Sequence, residues 1–183
     1  MRIEQTPLQD CFIVHEKVIG DARGYFIETF NQRDFNAATG LDIVFVQDNQ
    51  SKSSKGVLRG LHMQRGASAQ AKLVRVLAGA VLDVAVDLRK GSPSFGQHYA
   101  IELTEDNHKQ FFVPAGFAHG FVVLSETATF FYKVDKFYEP GNEVGIMYND
   151  KDLNIDWKLP VSELIFSEKD KTLGSFAEYA AAL

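Results

Sequence analysis

Short runs of β-branched and aromatic residues recur from one end of the chain to the other, each closed by turn residues, and no other feature narrows the fold as far. The runs predict strands over Phe12–Val18, Tyr25–Phe30, Ile43–Asn49, Gly56–His62, Lys72–Ala78, Val81–Leu88, His98–Leu103, Gln110–Val113, His119–Leu124 and Ala128–Val134. Glycine-rich punctuation falls between them at Gly20–Gly24, Gly79, Lys90–Gly96 and Pro114–Gly116. Helical periodicity is confined to Gln32–Ala38, ahead of Gly40, and to Ser175–Leu183. Many short strands, each with an apolar face to hide, must pack as two sheets or close on themselves. The expectation is an all-β sandwich or jelly-roll barrel with short peripheral helices.

At 183 residues, 45% hydrophobic and 23% charged, the chain has the size and composition of one globular domain with a sizeable core. No Pro/Ser/Gly-rich linker, repeat or low-complexity tract marks a boundary. Nineteen Lys and Arg against 24 Asp and Glu leave a formal charge of −5, which argues against a nucleic-acid or anionic-membrane partner. A single cysteine, Cys11, forms neither an internal disulfide nor a multi-cysteine metal site. Leu73–Leu88, the most apolar stretch, is interrupted by Arg75, Asp83 and Asp87 and is not a bilayer span. Met1–Asp10 does not read as a secretory leader. These features predict a soluble cytoplasmic protein that binds an anion only locally.

Strand alternation says which side chains share a face. Within Ile43–Asn49, residues Ile43, Phe45, Gln47 and Asn49 lie together; Lys72 lies with Val74 and Val76, Tyr132 with Phe130 and Val134, and His119 with Phe121 and Val123. Each set is apolar with one or two polar groups near its end, the pattern expected around a ligand cavity at a barrel mouth. His62 closes an apolar strand, where an imidazole serves as a satisfied core group or as a general base titrating near working pH. Regular alternation puts Arg59 and His62 on opposite faces, and a bulge at Gly60 would bring both to one site.

Pro114–His119 resembles the Pro-x-Gly-x-x-His motif of cupins, many of which bind a divalent metal. The paired histidines and glutamate that complete such a site are missing: the earlier strand offers only His62, followed by Met63 and Gln64, and His15, His98 and His108 have no paired spacing. The expectation is that no metal is held and that His119 contacts a ligand or an anion.

Over Asp21–Asp170 the chain resembles the dTDP-4-dehydrorhamnose 3,5-epimerase family. The likeness runs through Asp21–Glu28, Gln47–Ser53, Gly56–His62, Gln70–Lys72, Val81–Arg89, Pro114–Phe121, Tyr132, Tyr138–Pro140, Glu143, Asn149–Asp150, Ile155–Trp157 and Ser167–Asp170. Singly these segments are weak signals; in this order they are specific. The chain departs from the family pattern at Met63–Ala71, which lacks a proline, and at Lys158 after Trp157.

The resemblance implies a homodimer of cupin-like jelly-roll subunits without metal or organic cofactor, one domain over residues 1–183 with 150–183 packing on the barrel and contributing to the site. It implies inversion of C3 and C5 of dTDP-4-dehydro-6-deoxy-α-D-glucose to give dTDP-4-dehydro-β-L-rhamnose. Both C–H bonds flank the C4 ketone, so either proton leaves behind an enolate; the chemistry needs a base on one face, an acid on the other and positive charge at the ketone oxygen. By this likeness His62 is the base, Asp170 its carboxylate partner, Tyr132 the acid and Lys72 the group at the ketone. Arg23, Phe26, Glu28, Gln47, Asn49, Arg59, His119, Glu143 and Lys169 are implied substrate contacts, and Tyr138 stacks on the thymine. Two other readings are an epimerase that inverts C3 alone or C5 alone in a related dTDP-deoxysugar, and a non-enzymatic sugar-nucleotide-binding cupin. The dimer expectation also draws on Phe12–Val18 as a strand able to pair across an edge.

Overall fold

Two antiparallel sheets face each other, and almost every expected strand finds a place in one of them. The structure is a computed structural model describing residues 1–183. Its elements run β1 Arg2–Gln5, β2 Phe12–His15, β3 Val18–Asp21, β4 Gly24–Ile27, α1 Gln32–Thr39, β5 Gln47–Ser54, β6 Leu58–Gln64, β7 Lys72–Ala78, β8 Ala80–Asp87, β9 His98–Thr104, β10 Lys109–Val113, β11 Phe117–Val123, β12 Thr127–Val134, β13 Glu143–Gly145 and α2 Phe176–Ala181. One sheet has the order β1-β2-β10-β7-β12-β5, the other β13-β6-β11-β8-β9, and β3-β4 stands apart as a hairpin. This is the expected all-β jelly roll. No helix is long and apolar enough to cross a membrane.

The alternation read from sequence decides where the core sits. Val74, Val76, Phe111, Val113 and Phe130 from the first sheet meet Val81, Ala85, Phe117, Phe121 and Val123 from the second. Strands β8 and β11 are buried on both faces, and the chain after β13 covers the outer one: Leu82, Val84, Val86 and Val122 pack against Ile146, Leu153 and Trp157. Burying each such aliphatic side chain is worth about 1.5–3 kcal/mol, enough together to keep this extended, strand-poor tail docked.

Three sequence expectations are corrected. Residues 41–46 form no strand, because Ile43 and Phe45 pack over the outer face of the first sheet with Phe35 of α1; the strand is the polar run Gln47–Ser54, paired with β12 along its whole length. Phe12–Val18 divides at His15, and its second half opens the β3-β4 hairpin. As β2 is flanked by β1 and β10, it is not an edge strand with backbone groups left to pair.

Candidate active site

The two sheets part at one end around a cavity of about 580 Å³. Strand β6 brings Arg59 and His62 to its wall, β11 brings His119, β7 brings Lys72, β12 brings Tyr132, β5 brings Asn49 and β13 brings Glu143. The β6-β11 ladder explains how Arg59 and His62 reach one cavity. His119 pairs with His62 and Phe121 with Arg59, so three steps on β6 match two on β11: the bulge expected at Gly60. Gly60 has φ 130°, and a Cβ there would meet Gly120 Cα at 2.6 Å and the His119 carbonyl oxygen at 2.9 Å. Only glycine fits that close approach.

Asp170 arrives from 108 residues away because the tail is pinned to the start of β6. Leu58 donates its N–H to the Ile165 carbonyl at 2.9 Å, and Ile165 donates to Gly56 at 2.8 Å. A further bond, from the Asp170 N–H to Ser167 Oγ at 3.2 Å, closes the turn. The buried Asp170 carboxylate then lies 2.5 Å from His62 Nε2. Such a carboxylate holds the N–H of the ring and leaves the other ring nitrogen free for a ligand. Burial pushes the His62 imidazole below its ordinary value, against the opposing pull of Asp170 and Glu143. That direction favours the neutral imidazole near pH 7.

Tyr132 faces the same space from the other sheet, and burial raises its phenol above the ordinary range, aided by Glu143. It stays a proton donor. Burial pulls Lys72 down to about 8, with Asp83 and Glu143 holding it up. Lys72 forms no salt bridge, and Arg59 bonds only the Ser53 hydroxyl, at 3.2 and 3.1 Å, so two cations are available to an anionic ligand. Lys169 is paired with Glu143. Burial raises the Glu143 carboxyl, but the Lys169 hydrogen bond and His62 outweigh it and hold it below the usual range.

Not every expected contact lines this cavity. Gln47 stands one step back, donating to Asn49 Oδ1 at 2.9 Å. Tyr138 sits half-exposed at the rim beside Glu143. Arg23, at the turn of the β3-β4 hairpin, is bound to Asp21. Phe26 on β4 is 67% exposed and, with Glu28, borders a separate hollow containing Met1, Glu16 and Asp34. One residue was missed. The fully buried Asp83 of β8 accepts from His119 Nε2 at 2.9 and 3.0 Å. Its signal was a carboxylate inside an otherwise apolar strand. No group of three or more His, Cys, Asp or Glu side chains is placed to hold a metal ion.

Residues 5–178 match the family described as dTDP-4-dehydrorhamnose 3,5-epimerase. The enzyme of that name from Shigella flexneri is 51% identical over 170 residues, 93% of either chain. The crystal structure of the same enzyme from Elizabethkingia anophelis superposes with a TM-score of 0.94 at 56% identity, covering 97% of both chains. A Legionella pneumophila 3,5-epimerase, solved in complex with dTDP-4-keto-L-rhamnose, gives 0.92 at 46% identity, covering 97% of this chain and 96% of that one. The chain belongs to the dTDP-4-dehydrorhamnose 3,5-epimerase family.

Proposed function

We propose that this chain inverts C3 and C5 of dTDP-4-dehydro-6-deoxy-α-D-glucose through enolates on either side of the C4 ketone, yielding dTDP-4-dehydro-β-L-rhamnose. The observation that carries this reading is a neutral imidazole backed by a buried carboxylate on one sheet, facing a protonated phenol on the other. His62 takes the proton next to the ketone through the ring nitrogen that Asp170 leaves free. Asp170 stabilises the imidazolium that forms. Lys72 meets the charge that develops on the ketone oxygen, and Tyr132 delivers a proton to the opposite face of the carbon. Arg59, whose guanidinium has no carboxylate partner, supplies positive charge that suits a diphosphate, and Tyr138 at the rim suits the base. No step calls for a redox group, because the C–H electron pair stays in the enolate when the proton leaves and takes up the proton that returns.

The same reading includes a cytoplasmic homodimer. Arg23, Phe26 and Glu28 stand away from the cavity of their own chain, on or beside a hairpin that exposes Val18, Ile19, Tyr25 and Phe26. Seated on a second copy, the hairpin would bury that apolar surface and carry these residues to the partner's cavity.

The test is incubation with dTDP-4-dehydro-6-deoxyglucose in D2O, followed by NMR at C3 and C5. Deuterium with inversion at both carbons is the expected result; label at one carbon alone replaces the reading with a mono-epimerase, and no label at either refutes it.

A further inference from the structure

Two aspartates lie in strand β8 and both are fully buried, but they are satisfied in different ways. Asp87 is neutralised by Arg89 at 2.9 Å and also accepts from Ser92 and Ser94 hydroxyls at 2.5 and 2.6 Å. That arrangement is a self-contained structural knot. Asp83 has no arginine and no hydroxyl: both of its oxygens go to one imidazole, His119 Nε2. A buried carboxylate with so few partners is expensive to keep, and a structural position has cheaper ways to be filled. Its partner is a wall of the cavity, and His119 stands directly opposite His62 in the β6-β11 ladder. The site thus holds two imidazole–carboxylate pairs side by side.

An ionised carboxylate only accepts, so the proton of His119 sits on Nε2 and Nδ1 is the atom left for a ligand. Asp83 is also the leading charge that supports the ammonium of Lys72 against burial. The other charged or titratable groups that share its cavity are Arg59 and His62 from β6, His119 from β11, Tyr132 from β12, Glu143 from β13 with its partner Lys169, and Asp170 from the tail; among them Glu143 is the one that also supports the Lys72 charge, while its ladder neighbours Val113 on β10 and Val134 on β12 carry none.

We propose that Asp83 is a positioning residue for the epimerisation, holding His119 by its Nε2–H so that Nδ1 is presented to the bound sugar nucleotide, and placing a fixed negative charge behind the cavity that His119 and Lys72 both line. The proposal rests on the catalytic reading above for its kinetic consequence only.

Asp83→Asn keeps an acceptor for His119 and removes the charge. With Glu143 as the one remaining carboxylate that supports its charge, Lys72 loses its proton earlier, and the basic limb of kcat/KM moves to lower pH by about one unit. Structural damage would instead lower the rate by one factor at every pH. His119→Gln leaves Asp83 in place, so the limb stays and KM rises about tenfold, the scale of one lost hydrogen bond to a charged group. A basic limb unmoved in D83N overturns the proposal. Should D83N not fold, H119Q decides alone: a displaced limb or an unchanged KM overturns it. Titration of the Lys72 ammonium by NMR in ligand-free protein reads the same charge without turnover. A chain inactive on this substrate would refute the catalytic reading, whereas an unchanged Lys72 titration in D83N would refute the role of Asp83.

Discussion

His62 and Tyr132 belong to different sheets and look at each other across one cavity. In the proposed mechanism a sugar ring bound between them turns its two faces to two different groups, His62 with its imidazole held below and Tyr132 with its phenol held above the ordinary value. On the proposed assignment, that relationship separates inversion from simple proton exchange.

Tyr132→Phe tests it directly. The enolate formed by His62 would mostly recapture a proton from the imidazolium and return to its starting configuration, while exchange of that proton with solvent still admits deuterium. Inversion should fall about a hundredfold or more, the scale of a lost positioned acid, and label incorporation should fall much less. The ring keeps its packing on Phe130, so thermal stability should hardly change. In His62→Ala, by contrast, exchange at both carbons should stop. Equal decline of wash-in and inversion in Y132F would show that the two-faced assignment is wrong.

Gly60 is where the fold and the site depend on each other. Ala at this position adds a Cβ that meets backbone of Gly120 and His119, none of it the flexible end of a side chain, at a φ that L-residues rarely adopt. A loss of at least about 2 kcal/mol is expected in chemical denaturation. The bulge would relax first, and with it the shared wall of Arg59 and His62, so activity should fall even where folding survives. A G60A protein with native stability and rate would show that the bulge does not set the site.

Much of this site was legible in the chain, for a physical reason. Lys72, His119 and Tyr132 sit on strands whose apolar partners must face the core, so alternation alone turned their side chains inward. Gly60 announced the bulge because a glycine inside a strand has no packing value. The polar edge strand Gln47–Ser54 was only partly legible, since its stability comes from pairing with β12 and not from an apolar face of its own. Likewise β1 and β13 are held by their neighbours. Asp170 reaches His62 through contacts between the tail and Gly56–Leu58, which no local pattern encodes. Asp83 and Asp87 look alike in sequence, and only the side chains around them set Asp83, bound to a cavity histidine, apart from Asp87, bound to Arg89.

The hairpin yields a prediction about assembly. Phe26→Asp places a charge on the most exposed part of an apolar strip and touches nothing in the cavity of its own chain. Light scattering at micromolar concentration should show the wild type as a dimer and the variant shifted to monomer, with kcat/KM reduced at least about tenfold, the minimum expected if a partner's contacts to the substrate are lost. A monomeric variant of full activity would separate dimerisation from catalysis, and a monomeric wild type would remove the assembly proposal.

In the proposed mechanism the pH profile of kcat/KM follows from two buried groups, His62 and Lys72, that must be in opposite charge states. His62 works only when unprotonated. Burial holds its imidazole below the ordinary 6.5, so its contribution is complete at neutrality and is lost as pH falls through the depressed value. Lys72 works only when protonated. Burial brings it down to about 8, so its contribution is lost as pH rises through that value. Tyr132 lies above the ordinary 10 and remains a donor through the whole window. The expected profile is a bell with its acid limb below 6.5 and its basic limb near 8, narrower on the alkaline side than a phenol alone would allow. Lys72→Met should lower the plateau and abolish the limb near 8, leaving the acid limb in place. Lys72→Arg, whose guanidinium does not titrate here, should retain more rate than Met and also lack that limb. A basic limb that persists near 8 in both variants would assign it to another group and leave Lys72 without its electrostatic role.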